Sequence, residues 1–183
     1  MNWLNSIAII VAAFLAVFIE ASFGGLRRLL GVQIDLLPAL VVYASLTTGM
    51  ITLSLLSIWG GLWFDALSAN PLGVSILPLF ATGMIVYLCR DLILRDQVYA
   101  QFITGIAASA VAPLLTLVLL LNLGHRPLIG WQSLWQLLVL AAGGGLFTPA
   151  AFYLFDRIDR AFSYQPMADS SFRTDRQIKR GRH

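Results

Sequence analysis

Few residues in this 183-residue chain are equipped for chemistry, and their spacing argues against most of it. Glu20 is the one carboxylate well inside an apolar run, where an acid is costly and commonly functional. It lies within a turn of that run's end, however, and Arg27 and Arg28 follow two turns later. A structural ion pair or a snorkelled interfacial acid accounts for it. Asp65 as a general base lacks a partner at any spacing the sequence sets. Two histidines, His125 and the terminal His183, and the single Cys89 are too few for a metal site or an intramolecular disulfide. Gly143-Gly144-Gly145 is followed by no Gly-Lys-Ser/Thr, so it is not a phosphate loop. The polar residues within apolar runs are mostly hydroxyls: Thr52, Ser54, Ser57, Thr82, Thr104, Ser109 and Thr116. These suit helix contacts or a small neutral cavity, whereas an ion or proton path calls for acids or histidines at mid-depth. No catalytic residue, metal or cofactor is expected.

The elements that carry these residues are set by hydropathy. Of the residues, 58% are hydrophobic and 11% charged, with a mean hydropathy of +0.81. Soluble domains carry about 25% charged residues, so the surface needed for water is missing, and an all-α integral membrane protein is expected. A span needs about 20 residues at 1.5 Å rise to cross roughly 30 Å of hydrocarbon. The first run, 3–23, has no Lys or Arg before it and reads as a retained span. From Leu36 to Phe64 the chain is apolar for 29 residues, about 43 Å as one helix. Two short spans, 33–47 and 50–66, divided at Thr47-Thr48-Gly49, fit better than one. Spans at 74–94, 98–122 and 132–155 follow, giving a six-helix bundle, with five spans as the alternative. Residues 1–160 form the polytopic domain and 161–183 a basic tail.

Close-packing rows mark where helices meet. Ala8, Ala12 and Ala16 form a small-xxx-small surface for the bundle itself or for a partner's helix, and Gly143–Gly145 are a second candidate. Gly105, Ser109 and Pro113 make another row, with a kink expected at Pro113. Trp131 and Trp135 read as interfacial anchors. The charges of Arg90, Asp91, Arg95 and Asp96 read as a solvated ion-pair cluster at a helix end. Arg173, Arg176, Lys179, Arg180 and Arg182 fall in the last eleven residues and suit contact with anionic lipid. No aromatic stacking platform accompanies them, so nucleic acid is not an expected partner.

Between two apolar runs lies Asp65-Ala66-Leu67-Ser68-Ala69-Asn70-Pro71-Leu72-Gly73. Hydrocarbon cannot satisfy the backbone of such a break, so it must lie at an interface or be shielded by protein. Asp, Ser and Asn side chains can bond nearby backbone N–H groups there. Asn70 as N-cap and Pro71 at the first helical position are the expected start of the next helix.

With six spans, both termini share a side with nine basic residues: Arg90, Arg95, Arg157, Arg160 and the five of the tail. Arg27, Arg28 and Arg126 fall on the other side, so the termini are expected in the cytoplasm. With five spans the balance is eleven to one. In both cases the Asp65 corner faces outward and the tail inward.

The run Asp35-Leu36-Leu37-Pro38-Ala39-Leu40-Val41-Val42-Tyr43, the segment Gly60-Gly61-Leu62-Trp63-Phe64-Asp65, the corner Ser68-Ala69-Asn70-Pro71-Leu72-Gly73 and Tyr87 together resemble the bacterial rod-shape-determining MreD family. The resemblance covers about residues 33–90, and the corner is its most specific part. It implies a non-catalytic inner-membrane scaffold of the cell-elongation machinery that binds MreC, a single-span protein with a periplasmic coiled coil. MreB, RodA and a class B penicillin-binding protein belong to the implied complex. It further implies six spans resembling the substrate-binding subunits of energy-coupling-factor transporters. The family often carries charges in the second-to-third connection, whereas Thr47-Thr48-Gly49 has none. A competing expectation is a small-ligand-binding or transporter subunit.

Overall fold

A computed structural model describes residues 3–22, 35–68, 71–93, 97–124 and 130–162. Six helices follow one another, with no strand among the described residues. They are α1 (Trp3–Ser22), α2 (Leu37–Thr47), α3 (Met50–Leu67), α4 (Ile76–Leu88), α5 (Val98–Asn122) and α6 (Trp131–Phe162). Three are long and apolar enough to cross a membrane: α3, α5 and, over Trp131–Ile158, α6. Two fall short of a full crossing. The 11 residues of α2 and the 13 of α4 reach only about 16 and 20 Å at 1.5 Å per residue.

Helix α2 is the hub, because it is apolar all round and therefore has no face to give to solvent. Every residue from Leu37 to Leu46 is buried, and α2 touches each of the other helices. Tyr43 is its anchor. Its ring stacks on Phe155 at 4.5 Å and meets Phe152 edge-on at 4.9 Å, tying α2 to α6. Glycines allow the approach of its neighbours: a Cβ on Gly60 would lie 2.9 Å from Leu37 Cδ2, and one on Gly83 2.7 Å from Val41 Cγ1.

The uncharged break after α2 has a local cause. The Thr47 and Thr48 hydroxyls donate to the carbonyls of Tyr43 and Ala44, both at 2.7 Å, and the Thr48 N–H also donates to Ala44 at 2.9 Å. Hydroxyls thus serve the carbonyls that a helix end leaves open. Gly49 is extended, and α3 starts at Met50. Residues 36–64 are therefore two helices rather than one long one.

Three other boundaries move from the sequence expectation. Helix α4 begins at Ile76 and ends at Leu88, inside the expected 74–94. The chain turns through residues 89–92, where Arg90 and Asp91 form an exposed ion pair at 3.7 Å and the Arg90 guanidinium lies 4.5 Å from the centre of the Tyr87 ring. Residues 94–96 lie outside the described residues. Helix α6 runs past 155 to Phe162, and near its end the Arg160 Nε–H donates to the Asp156 carbonyl one turn back at 3.1 Å. Trp131 and Trp135 are exposed at its start. Pro113 lies within α5 and Pro149 within α6.

Candidate functional site

The polar corner is built around one carboxylate. Asp65 occupies the last turn of α3 and is 2% exposed. Its Oδ2 accepts the Gly73 N–H at 2.8 Å and the Ser75 N–H at 3.0 Å, while Oδ1 accepts the Ser75 hydroxyl at 2.5 Å. A buried carboxylate that accepts three donors satisfies both itself and the backbone around it. Gly73 has φ +89°, a left-handed conformation that suits glycine, and this turns the chain so that its N–H points back at Asp65. Ser68 ends α3 with its N–H on the Phe64 carbonyl at 2.9 Å. Close approach completes the hairpin: a Cβ on Gly61 would lie 3.0 Å from the Ile76 backbone.

This geometry corrects the expected start of the fourth helix. Pro71 is exposed and precedes a turn through residues 72–75, so it is not the first helical residue; Ser75 occupies the N-cap position. The reason is the reach of Asp65, which holds the Gly73 and Ser75 N–H groups from α3 and so keeps residues 72–75 in a turn ahead of the helix. Leu72 is 70% exposed. Asn70 lies outside the described residues. Ser75 was missed by sequence reasoning, although a serine directly ahead of an apolar run is a known start signal.

The expected partner-helix surfaces are largely taken up inside the bundle. Ala16 is buried, and Ala8 and Ala12 pack against the core from the same side of α1. Gly143, Gly144 and Gly145 are buried. A Cβ on Gly144 would collide with Ser109, and one on Gly145 would lie 2.7 Å from Ile106 Cγ1, both on α5. Gly105 in turn packs against Thr148 and the Gly144 carbonyl. The two rows of small residues therefore interlock α5 and α6 and leave Gly143–Gly145 no free face. The outward side of α1 carries Ile7, Val11, Phe14, Leu15, Phe18 and Ile19. Arg173, Arg176, Lys179, Arg180 and Arg182 lie outside the described residues.

Two acids that the sequence kept apart meet at the start of α2. A Glu20 carboxylate oxygen accepts the Leu36 N–H, and Asp35 Oδ1 accepts the Leu37 N–H at 2.9 Å. Both occupy a helix N-terminus, whose open N–H groups and dipole favour anions. Glu20 thus acts as a cap supplied from α1, while the expected ion pair with Arg27 or Arg28 lies outside the described residues. The hydroxyls divide between backbone and cross-helix partners. Ser6 Oγ and Thr52 Oγ1 are 2.8 Å apart, linking α1 to α3. Ser45, Ser54, Thr104 and Thr116 donate to carbonyls one turn back.

Above the α5–α6 interlock the helices part around a half-open cavity of about 310 Å³. Its rim carries Asp35, Ser68, Ser75 and Gln136; Leu79, Ala112 and Leu140 line it one or more turns deeper. Pro113 and Thr116 form the α5 wall. A second hollow of similar size lies between α1 and α3, walled by Val11, Phe14, Trp59 and Trp63 and almost entirely apolar. No group of three or more potential metal ligands occurs among the described residues. No family model, curated protein or solved structure matches the chain.

Proposed function

We propose that this chain is a non-catalytic membrane scaffold of the MreD type, which grips a single-span partner resembling MreC and helps position peptidoglycan synthesis in the bacterial inner membrane. MreB, RodA and a class B penicillin-binding protein are its wider company. The observation that carries the proposal is the Asp65 corner. Asp65, Ser68, Pro71, Leu72 and Gly73 bear the sequence resemblance, and the corner closes as one unit through the Asp65 bonds to Gly73 and Ser75.

In this proposal the six helices are six crossings, with the short α2 and α4 shielded by the longer ones. Their bundle follows the plan of energy-coupling-factor substrate-binding subunits. Both termini are cytoplasmic, and the corner is periplasmic. Irregular backbone is tolerated near a membrane where protein covers it, and Asp65 supplies that cover. The partner's helix docks on the outward hollow between α1 and α3 rather than on the alanine row, which packs inward. Phe14 and Trp63 meet edge-on there at 5.1 Å and give it a firm aromatic wall.

Co-purification with the co-expressed single-span partner tests the proposal. Val11→Trp and Trp59→Ala are expected to reduce the yield of partner several-fold while the chain remains folded. An unchanged yield removes this surface. Cells that keep their rod shape after deletion of the gene remove the function.

A further inference from the structure

The half-open cavity among α2, α4, α5 and α6 is bordered by the Asp65 corner and the start of α2 but takes no part in the partner contact proposed above. Its placement follows from the fold. The starts of α2, α4 and α6 and the ends of α3 and α5 all lie at this end of the bundle. Deeper in, Gly105 and Gly144 hold α5 against α6, and Pro113 sits where the two separate. The result is a mostly apolar pit, with Ser109 and Thr116 on its α5 wall, and a polar rim. Ligand sites are of this kind: concave, mostly apolar, with a few convergent polar groups, and about 300–1,000 Å³ in volume.

The rim chemistry selects the ligand. Among the described lining residues, Asp35 is the one ionisable side chain, and no Lys, Arg or His joins it. The second acid, Glu20, is bonded to the next amide of the same helix start. One Asp35 oxygen accepts the Leu37 N–H; the other has no partner among the described residues. The remaining rim groups, Ser68, Ser75 and Gln136, are neutral. Among the described lining residues an anion would find no cationic side chain to offset Asp35, whereas an ammonium would gain a charge-assisted bond to it in a partly dry site.

We propose that this cavity binds a small organic amine, with the ammonium at Asp35 and an apolar body against Leu79, Ala112 and Leu140. The site shares no lining residue with the partner-binding surface between α1 and α3.

Thermal unfolding and calorimetric titration of the purified chain in nanodiscs test it with three matched probes: tryptamine, tryptophol and indole-3-propionate. Tryptamine is expected to raise the melting temperature, tryptophol to raise it less and indole-3-propionate to leave it unchanged. Asp35→Asn keeps an acceptor for the Leu37 N–H and so retains the cap. It is expected to weaken tryptamine by about tenfold or more, the range of one charge-assisted bond, and to leave tryptophol unaffected. Leu117→Trp, which fills the cavity from the α5 wall, is expected to abolish both while the unliganded melting temperature holds. Equal shifts from tryptamine and indole-3-propionate, undiminished tryptamine binding by Asp35→Asn, or no amine binding at all with a phospholipid retained instead would each overturn the proposal.

Discussion

Removing the Asp65 carboxylate is the most direct perturbation of this fold. Asp65→Ala leaves the Gly73 and Ser75 N–H groups without their acceptor in a site that is 2% exposed at its centre. An orphaned buried donor costs about 1–3 kcal/mol, so two cost roughly 4 kcal/mol. The Ser75 hydroxyl also loses its acceptor but can rotate to another, so it adds little. At about 2–4 °C per kcal/mol for a chain of this size, the melting temperature falls by roughly 8–16 °C. Asp65→Asn separates geometry from charge. Its amide oxygen can still accept both N–H groups and its NH₂ can donate to the Ser75 oxygen, so the cost drops to about 1–2 kcal/mol. The assay is thermal unfolding in one detergent, followed by tryptophan fluorescence and by the monomer peak in size exclusion. An Asp65→Ala melting temperature within about 2 °C of the parent, or an Asp65→Asn loss equal to that of alanine, refutes the account of the corner.

Four further outcomes are expected. Gly144→Ala drives a methyl into Ser109 and costs about 1–3 kcal/mol by overpacking; Ser109→Gly is expected to restore much of it, as a double-mutant cycle in thermal unfolding will measure. Tyr43→Ala empties the aromatic contact with Phe152 and Phe155, at about 3–5 kcal/mol, checked in the same assay. Gly61→Val pushes on the Ile76 backbone and is expected to reduce the folded fraction at 37 °C more than Gly130→Val, beside which a Cβ meets nothing within 4 Å. In a Cys89→Ser background, an impermeant thiol reagent is expected to label Leu72→Cys and Gly124→Cys from outside intact cells, but Arg90→Cys only after lysis; the reverse pattern inverts the proposed topology.

Much of the architecture was legible in order and type. A chain this apolar must satisfy its backbone internally, and long apolar runs do so as helices. Hence all six helices fall where hydropathy places them, and even the uncharged division at Thr47-Thr48-Gly49 is marked by hydroxyls that can serve the last carbonyls of α2. Asp65 was legible, with Ser68 and Asn70, as a residue able to bond the backbone of the break. Its true reach was not. Local cap rules favour Asn70 and Pro71, whereas the acceptor came from the preceding helix, eight and ten residues back.

Which surfaces face inward is a different kind of fact. In a helix that is apolar on every side, periodicity does not distinguish core from lipid or partner. The alanine row of α1 and the glycines at 143–145 have equal standing as contact surfaces when read along the chain. Packing alone turns both inward, the first beside the α2–α3 core and the second onto Gly105 and Ser109 of α5. Likewise, Glu20 and Asp35 are 15 residues apart in sequence, and only the fold of the bundle brings them to adjacent amides of one helix. Hydrophobicity is a property each residue carries with it, so the order of helices can be written in one dimension. Contact depends on shape and on what lies opposite, and that is decided only when all the helices are assembled.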